Sequence, residues 1–468
     1  MKKLVTLILA AGMVFSSANG ASAVDMKVSG EWQTAFTFAD NMYNDYGAAK
    51  NHEGSSDGTF KAAQRIRINF DLVASEYVSG RVQLQVTDGD TNEYNWGTAG
   101  TGGTGAGVTA RLAYLDWIVP NTNVLVRMGR QSVALPSYTF GSSVLDDVID
   151  GVVVSAPIND MVALNLGWLR PAAEVNKWDY AHTPHSSVDL AYLSLDVTGD
   201  GFKVTPWGMV GFVGSQVDGK EVKNPITGAT RIEYSDFDMM GEHVTGESAT
   251  AYWVGIGGEL TMFDPFKFTA DFLYSGNDAD GLAERSGWYA ALGAEMRLSM
   301  ATPFIRGWYA SGDDADSKDS GRLLSVNGSA AFDPSGIYFD YYSQISGTPD
   351  VCSAAGTWGV QLGVKDVSFI QDLSHQLSVT YFQGTNNTNR VNGPAGNFVQ
   401  YDKADGPIGY MTTADSAWSI DFMNSYKLYE NLTANLLLSY LVTDFDKKVW
   451  GRDYDNIFRG TLNFTYEF

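Results

Sequence analysis

The side chains with the most chemical potential in this chain are arginines and aspartates. Arg65 and Arg67 stand two apart in a run where Arg65, Arg67, Asn69 and Asp71 alternate with Ile66, Ile68, Phe70 and Leu72. Arg81, Gln83 and Gln85 alternate in the same way with Val82, Leu84 and Val86. Arg111 and Arg127 are expected on the polar side of their own segments, and Arg130 at the end of one. A group of acids, Asp146, Asp147 and Asp150, follows shortly after. Fixed guanidinium and carboxylate groups lining a wet passage bias which ions enter it. A unit pair about 4 Å apart is worth ~4 kcal/mol at an effective dielectric of 20 and ~1 kcal/mol in bulk water. A wide, hydrated passage lies nearer the lower figure, so selectivity of this origin is modest.

Other motifs carry less. Gly100-Thr101-Gly102-Gly103-Thr104-Gly105 satisfies G-x-G-x-x-G, yet it opens no helix and belongs to no βαβ unit. Asp88, Asp90 and Asn92 start a calcium-loop spacing, but Glu93 stands where glycine is required and Ala99 where the bidentate glutamate belongs. An EF-hand is excluded, and only loose surface Ca2+ binding is compatible with these acids. His182 and His185 lie in a proline-containing segment without further ligands nearby, and Cys352 is a lone thiol. There is no G-x-S-x-G and no H-E-x-x-H, so no enzyme, metal or organic cofactor is expected.

The elements that must position the charged residues show a period of two. Successive side chains of a strand point to opposite faces. Phe458, Leu462, Phe464, Tyr466 and Phe468 share one parity, and Arg459, Thr461, Asn463, Thr465 and Glu467 the other. About eighteen such segments recur, each near the ~9–11 residues that cross a bilayer at a tilt. They run approximately over 25–38, 63–75, 78–88, 108–119, 123–130, 150–156, 161–170, 187–197, 202–214, 250–262, 266–276, 287–299, 302–311, 356–366, 375–384, 416–426, 432–444 and 456–468. Sixteen remains open if two short segments belong to loops. Alternation is less clean near 108–130 and 302–311, where Trp117, Ile305 and Trp308 fit either face. Connections alternate short and long. Pro120-Asn121-Thr122, Pro157-Ile158-Asn159-Asp160, Thr198-Gly199-Asp200-Gly201 and Phe263-Asp264-Pro265 are tight-turn clusters. Long polar stretches fall at 39–62, 88–107, 131–149, 171–186, 215–249, 276–286, 311–355, 384–415 and 445–455. Short turns on one side and long loops on the other describe a transmembrane up-and-down β-barrel. In hydrocarbon only a closed barrel pairs every backbone group of such strands. At 16–18 strands the lumen is aqueous, so the polar parity faces water.

Composition agrees. Lys2 and Lys3, an apolar stretch to Phe15 and Ala21-Ser22-Ala23 have the form of a secretory leader cleaved after Ala23. The expected domain organisation is a leader over 1–23 and a barrel over 24–468. The chain carries 31 Lys and Arg against 54 Asp and Glu, a formal charge of −23. Without Lys2 and Lys3 the charge is −25. That balance excludes nucleic acid as the default partner, and taken alone it suggests a weak cation preference. A single Cys in 468 residues rules out a disulfide scaffold.

The chain resembles the homotrimeric outer-membrane porins of sulfate-reducing bacteria. The resemblance is carried by MKKLVTLILAAGMVFSSANGASA, by LAYLDWIVPNTNVLVRMGRQSVALPSYTFGSS, by VTPWGMVG, by DLSHQLSVTYFQGTNN and by YKLYENLTANLLLSYLVTDFD. It covers most of the length outside 215–249 and 311–355. It implies a homotrimer in the outer membrane of a Gram-negative cell, passive diffusion of ions and small hydrophilic solutes, and a third long loop folded into each pore. On that basis Asp146 and Asp147, with Asp150 just beyond the loop, are expected at the constriction, facing a basic wall of Arg65, Arg67, Arg81, Arg111, Arg127 and Arg130. Phe464, Tyr466 and Phe468 look like the terminal signal read by the barrel-assembly machinery. The implied partners are outer-membrane lipid and lipopolysaccharide. A substrate-specific channel, or a barrel with a structural or adhesive surface role, are the alternatives.

Overall fold

In the computed structural model the described residues are 24–41, 58–87, 93–102, 105–173, 187–214, 220–223, 230–233, 248–278, 284–315, 319–326, 332–339, 353–392, 406–407 and 409–468. The leader, Asp88, Asp90, Asn92, His182, His185 and Cys352 lie outside them.

Eighteen strands form one antiparallel sheet: β1 (Asp25–Asp40), β2 (Thr59–Val73), β3 (Val78–Thr87), β4 (Gly107–Ile118), β5 (Leu125–Ala134), β6 (Asp146–Asn159), β7 (Val162–Ala173), β8 (Ser187–Gly199), β9 (Phe202–Val213), β10 (Ala249–Phe263), β11 (Phe266–Asn277), β12 (Ser286–Met296), β13 (Thr302–Ala310), β14 (Thr357–Ile370), β15 (Leu373–Gly384), β16 (Ser416–Tyr429), β17 (Leu432–Asp444) and β18 (Ile457–Glu467). The two-residue strand Tyr94–Asn95 adds to β2. Each strand pairs with its sequence neighbour, and β18 pairs with β1 from Glu31↔Glu467 to Asp40↔Phe458. The sheet is therefore a closed barrel, and eighteen strands is the count that holds. No helix among the described residues is long and apolar enough to cross a membrane, which says nothing of a β-barrel.

The expected alternation sets the two faces. Trp32, Tyr252, Tyr274, Trp288, Tyr309, Trp418 and Tyr440 are exposed on the outside near strand ends, as an interfacial aromatic belt requires. Trp117 and Ile305 point outward, whereas Trp308 is buried inward. The blurred alternation of β4 has a local cause. Gln83 pairs with Leu112 and Leu84 with Ala110, leaving Arg111 as the extra residue of a β-bulge. The bulge sets Arg111 and Leu112 side by side on the inner face and resets the parity on either side.

The apolar core lies inside the barrel, built by two loops. The third long loop (L3, 135–145) and the described parts of the seventh (L7: 311–315, 319–326, 332–339 and 353–356) fold into the lumen. Leu135, Phe140, Val144 and Leu145 of L3 pack with Leu324, Phe332 and Phe339 of L7 against the inward Trp207, Trp253, Trp308 and Phe382. Infolding of L3 was expected; that of L7 was not. L3 is also shorter than the expected 131–149. The β5–β6 ladder continues from Gln131↔Ile149 to Ala134↔Asp146, which places Asp146 and Asp147 in a strand.

Candidate functional site: the lumen wall

The arginines expected in the basic wall lie on β2, β3, β4 and β5. Arg65 is almost completely buried and donates to Gln33 Oε1 at 2.8 Å, with Glu31 at 3.4 Å. Arg67 donates through Nε to Gln85 Oε1 at 2.8 Å and lies 3.7 Å from Glu31. Arg111 donates to Gln83 Oε1 at 3.0 Å. Three guanidiniums thus share the inner face, each donating to a neutral amide, and Arg65 donates to the Glu31 carboxylate as well. Arg81 and Arg127 differ. Arg81 makes a fork on Asp71 at 2.6 and 2.9 Å, and Arg127 one on Asp116 at 2.7 and 2.8 Å. Bidentate carboxylates orient these two and also cancel their charge. Lys61, next along β2, pairs with Glu93.

The acids are distributed differently from the expectation. Asp147, opposite Val133, has the inward parity and lies within Coulombic reach of Arg111. Asp146 and Asp150 have the other parity. Asp150 pairs in register with Arg130, and their side chains form an ion pair at 3.2 Å on the outside of the barrel. The contradiction is one of strand arithmetic. Arg130 is three residues from Arg127, and Asp150 three from Asp147, so within a regular strand neither shares its neighbour's face. Arg130 and Asp150 are therefore not pore-lining, and Asp146 and Asp147 are not part of the infolded loop. The inner run of L3, from Leu135 to Leu145, carries no charged residue.

Sequence reasoning missed the charged residues that hold the constriction. Asp271 on β11 accepts from the backbone N–H of Tyr138 at 2.8 Å and of Thr139 at 2.7 Å. Arg306 on β13 donates to the Thr139 carbonyl at 3.2 Å and to Gln361 at 2.9 Å. L7 is held by the same device. Asp421 on β16 accepts from the Gly336 N–H at 2.9 Å, and Arg459 on β18 donates to the Gly336 carbonyl at 3.1 Å. Both clamps need a missing Cβ. A Cβ on Gly336 would stand 2.7 Å from Asp421 Oδ1, and one on Gly257 2.5 Å from Asp271 Oδ1. The signal available for L7 was its composition: Leu323, Leu324, Val326, Phe332, Ile337 and Phe339 are too apolar for a solvated loop.

Beside L3 a recess of about 480 Å³ opens against β5 to β9, lined in part by Arg127, Gln131, Tyr138, Asn165, Asp196 and Lys203. Asp196 accepts from Thr205 at 2.7 Å and Asn165 at 3.1 Å, and the Lys203 ammonium lies 5.6 Å from the Tyr138 ring centre. No cluster of three or more His, Cys, Asp or Glu suited to a metal occurs among the described residues. At the C-terminus Tyr466 and Phe468 stack on the outer face at 5.7 Å, and the Phe468 backbone is bonded in both directions to Gly30.

No family model matches the chain, and no curated protein matches it by sequence. Solved structures do match in shape. Pseudomonas aeruginosa OccD3 (OpdP) is 11% identical with a TM-score of 0.53, over 96% of this chain and 93% of that one. OccK2 (OpdF) of the same organism, solved in complex with glucuronate, is 12% identical with a TM-score of 0.55, over 95% and 98%. OpdK of that organism, solved with vanillate, is 11% identical with a TM-score of 0.54, over 95% and 98%. At such identity the likeness shows the fold alone: a closed eighteen-stranded antiparallel β-barrel.

Proposed function

We propose that this chain is an outer-membrane channel through which small hydrophilic solutes and ions diffuse, with a preference for small anions set at Arg67 and Arg111. The observation that carries the reading is the pair of guanidiniums, Arg67 and Arg111, turned to the lumen and oriented by Gln85 and Gln83, with Arg65 buried beside them on Gln33. A neutral amide fixes the donor fork without cancelling its charge. Glu31 is the carboxylate within ion-pair distance of Arg65 and Arg67, so two cations share one anion there. Charge at the narrow part governs permeation, whereas charge elsewhere is screened within about 8 Å at physiological salt. The local wall therefore outweighs the acidic total that suggested a cation preference.

Selectivity is favoured over purely general diffusion because two loops fill the lumen from opposite walls. The named ligands of the OccK2 and OpdK structures, glucuronate and vanillate, are both carboxylates, which supports the same ligand class here. No observation favours a catalytic role.

Planar-bilayer recording under a KCl gradient tests the reading. The expected result is ionic current with a reversal potential on the anion side. Lipid-reconstituted protein that carries no current would sink the channel assignment, and a cation-side reversal potential would sink the anion preference alone.

A further inference from the structure

On the short-turn side of L3 most charges of the inner face are paired. Lys267 of β11 pairs with Glu259 of β10 at 2.7 Å, and Lys365 of β14 with Glu295 of β12 at 2.5 Å. Arg127 is cancelled by its fork on Asp116. Two groups depart from this pattern, and both line the recess beside L3: Asp196 on β8 and Lys203 on β9. Lys203 is in register with Glu259, but Glu259 is taken by Lys267, and the Lys203 ammonium turns to the Tyr138 ring. Asp196 is held by two neutral donors, Thr205 and Asn165. Among the described residues neither forms an ion pair, with the other or with a third group.

The polar groups of the recess are held in place. The Thr205 hydroxyl donates to one Asp196 oxygen at 2.7 Å, and the Tyr138 hydroxyl of L3, 2.7 Å from Thr205 Oγ1, therefore donates to Thr205. The Asn165 amide nitrogen serves the other Asp196 oxygen at 3.1 Å and Ser194 Oγ at 3.2 Å. Its carbonyl oxygen is thereby left as an open acceptor beside the carboxylate. An ionised carboxylate has about four acceptor sites, and Thr205 and Asn165 use one each, so Asp196 also accepts further donors. β5 and β6 add aliphatic surface through Leu125, Val133 and Val153. At about 480 Å³ the recess falls in the ~300–1,000 Å³ range of small-molecule sites, which join apolar walls to a few fixed polar groups.

We propose that this recess binds a small zwitterion with an aliphatic body, of the α-amino-acid type. The ligand ammonium donates to Asp196 and to the Asn165 carbonyl, the ligand carboxylate accepts from Lys203, and the aliphatic body lies on Val133 and Val153. The inference rests on the channel reading above, since a solute reaches the recess through the lumen. Charge selects the class. A simple anion satisfies Lys203 and meets Asp196 as a like charge, and a simple cation does the reverse. A neutral polyol pairs neither. A ligand with both charges pairs each group, and it carries no net charge for Arg67 and Arg111 to attract, so the recess discriminates on different grounds from the arginine pair.

The test is calorimetric titration of the full-length protein in detergent with three probes of one skeleton. L-leucine carries both charges, isoamylamine lacks the carboxylate and isocaproate lacks the ammonium. L-leucine is expected to bind about tenfold more tightly than either, or about 1.4 kcal/mol. Lys203→Met is expected to lower leucine affinity to that of isoamylamine on wild type, and Asp196→Asn to that of isocaproate. Heat-modifiable migration shows that each variant has formed its barrel. Isocaproate binding as tightly as leucine overturns the proposal and leaves a plain anion site. Isoamylamine binding as tightly leaves a plain cation site and overturns it equally. Wild type that takes up no leucine at millimolar concentration overturns it, as do variants that bind leucine like wild type. Current in lipid is read in parallel. Its absence sinks the channel reading, whereas current without discrimination among the three probes sinks only this one.

Discussion

The lumen has two walls that use the same residue types for different ends. On β2 and β4, Arg67 and Arg111 are oriented by glutamines and face the passage, with Arg65 buried beside them. On β11 to β18, Asp271, Arg306, Asp421 and Arg459 are turned to loop backbone: carboxylates accept N–H groups and guanidiniums donate to carbonyls. A loop folded into a lumen carries backbone groups that water no longer reaches, and each needs a partner. Charged side chains on the barrel wall supply those partners with the stronger, charge-assisted bonds. What an inward charge does is therefore decided by its partner. With an amide it remains available to solutes, with a carboxylate it is cancelled, and with a peptide group it holds a loop in place.

If the clamped wall only holds loops, breaking a clamp should change the width of the passage more than its selectivity. Asp271→Ala removes two bonds to a charged acceptor, each worth ~1.5–3 kcal/mol, and strands two peptide N–H groups. The expected outcome is the largest in the molecule: release of L3 from β11 and a several-fold rise in single-channel conductance with added open-channel noise. Conductance equal to wild type would show that packing of Phe140 on Trp308 and Phe332 suffices to hold the loop.

The converse holds for the open wall. Arg67→Gln together with Arg111→Gln leaves the loops untouched and removes two charges, neither held in a carboxylate fork, from the β2–β4 cluster. At ~1 kcal/mol per charge at contact in a hydrated pore, the reversal potential should move clearly toward cations while conductance changes little. A reversal potential unmoved in the double variant would locate the selectivity elsewhere. The cancelled pairs give the matching control. Asp71→Asn with Arg81→Gln removes one charge of each sign, so reversal potential is expected to stay put, and stability to fall by no more than ~1 kcal/mol. A shift as large as that of the Arg67 and Arg111 variant would erase the distinction between amide-held and carboxylate-held arginines.

The barrel itself was legible because the strand period is local. Ile66, Ile68 and Phe70 against Arg65, Arg67 and Asn69 state their faces without any knowledge of the partner strand. Strand ends were less legible. The boundary that put Asp146 and Asp147 into β6 depends on a ladder with β5, which no local pattern announces. Arg111 was expected on the polar side of its strand, and the bulge that turns it inward appears in the sequence only as disturbed alternation. Arg130 and Asp150 could have been excluded by counting, since a step of three changes face. The clamps were out of reach, because Asp271 meets Tyr138 across 133 residues of sequence and Gly336 meets Asp421 across 85. Such contacts follow from closure of the whole barrel.

The two infolded loops also differ in how their outer ends are secured, and pH separates them. L7 has an anchor outside the membrane-spanning strands that L3 lacks: Asp313 accepts from Ser320 Oγ at 2.6 Å, from the Gly321 N–H at 3.0 Å and from the Tyr410 hydroxyl at 2.5 Å. Burial alone would raise its pKa, but the Arg322 guanidinium and the Ser320 and Tyr410 hydroxyls outweigh burial and hold the carboxyl below its ordinary value. A depressed folded-state pKa contributes stability that is fully present above the unfolded value of about 3.9 and is lost as pH falls through the lower, folded one. Asp313→Asn should therefore reduce hydrogen-exchange protection of Leu323 to Val326 at neutral pH, and the gap from wild type should close as the pH is lowered below about 4. L3 should show no such gap, and current at neutral pH should be unaffected. A gap that stays constant down to pH 3 would mean that shape rather than charge makes the anchor, and L7 would then be held as L3 is, from within the lumen alone.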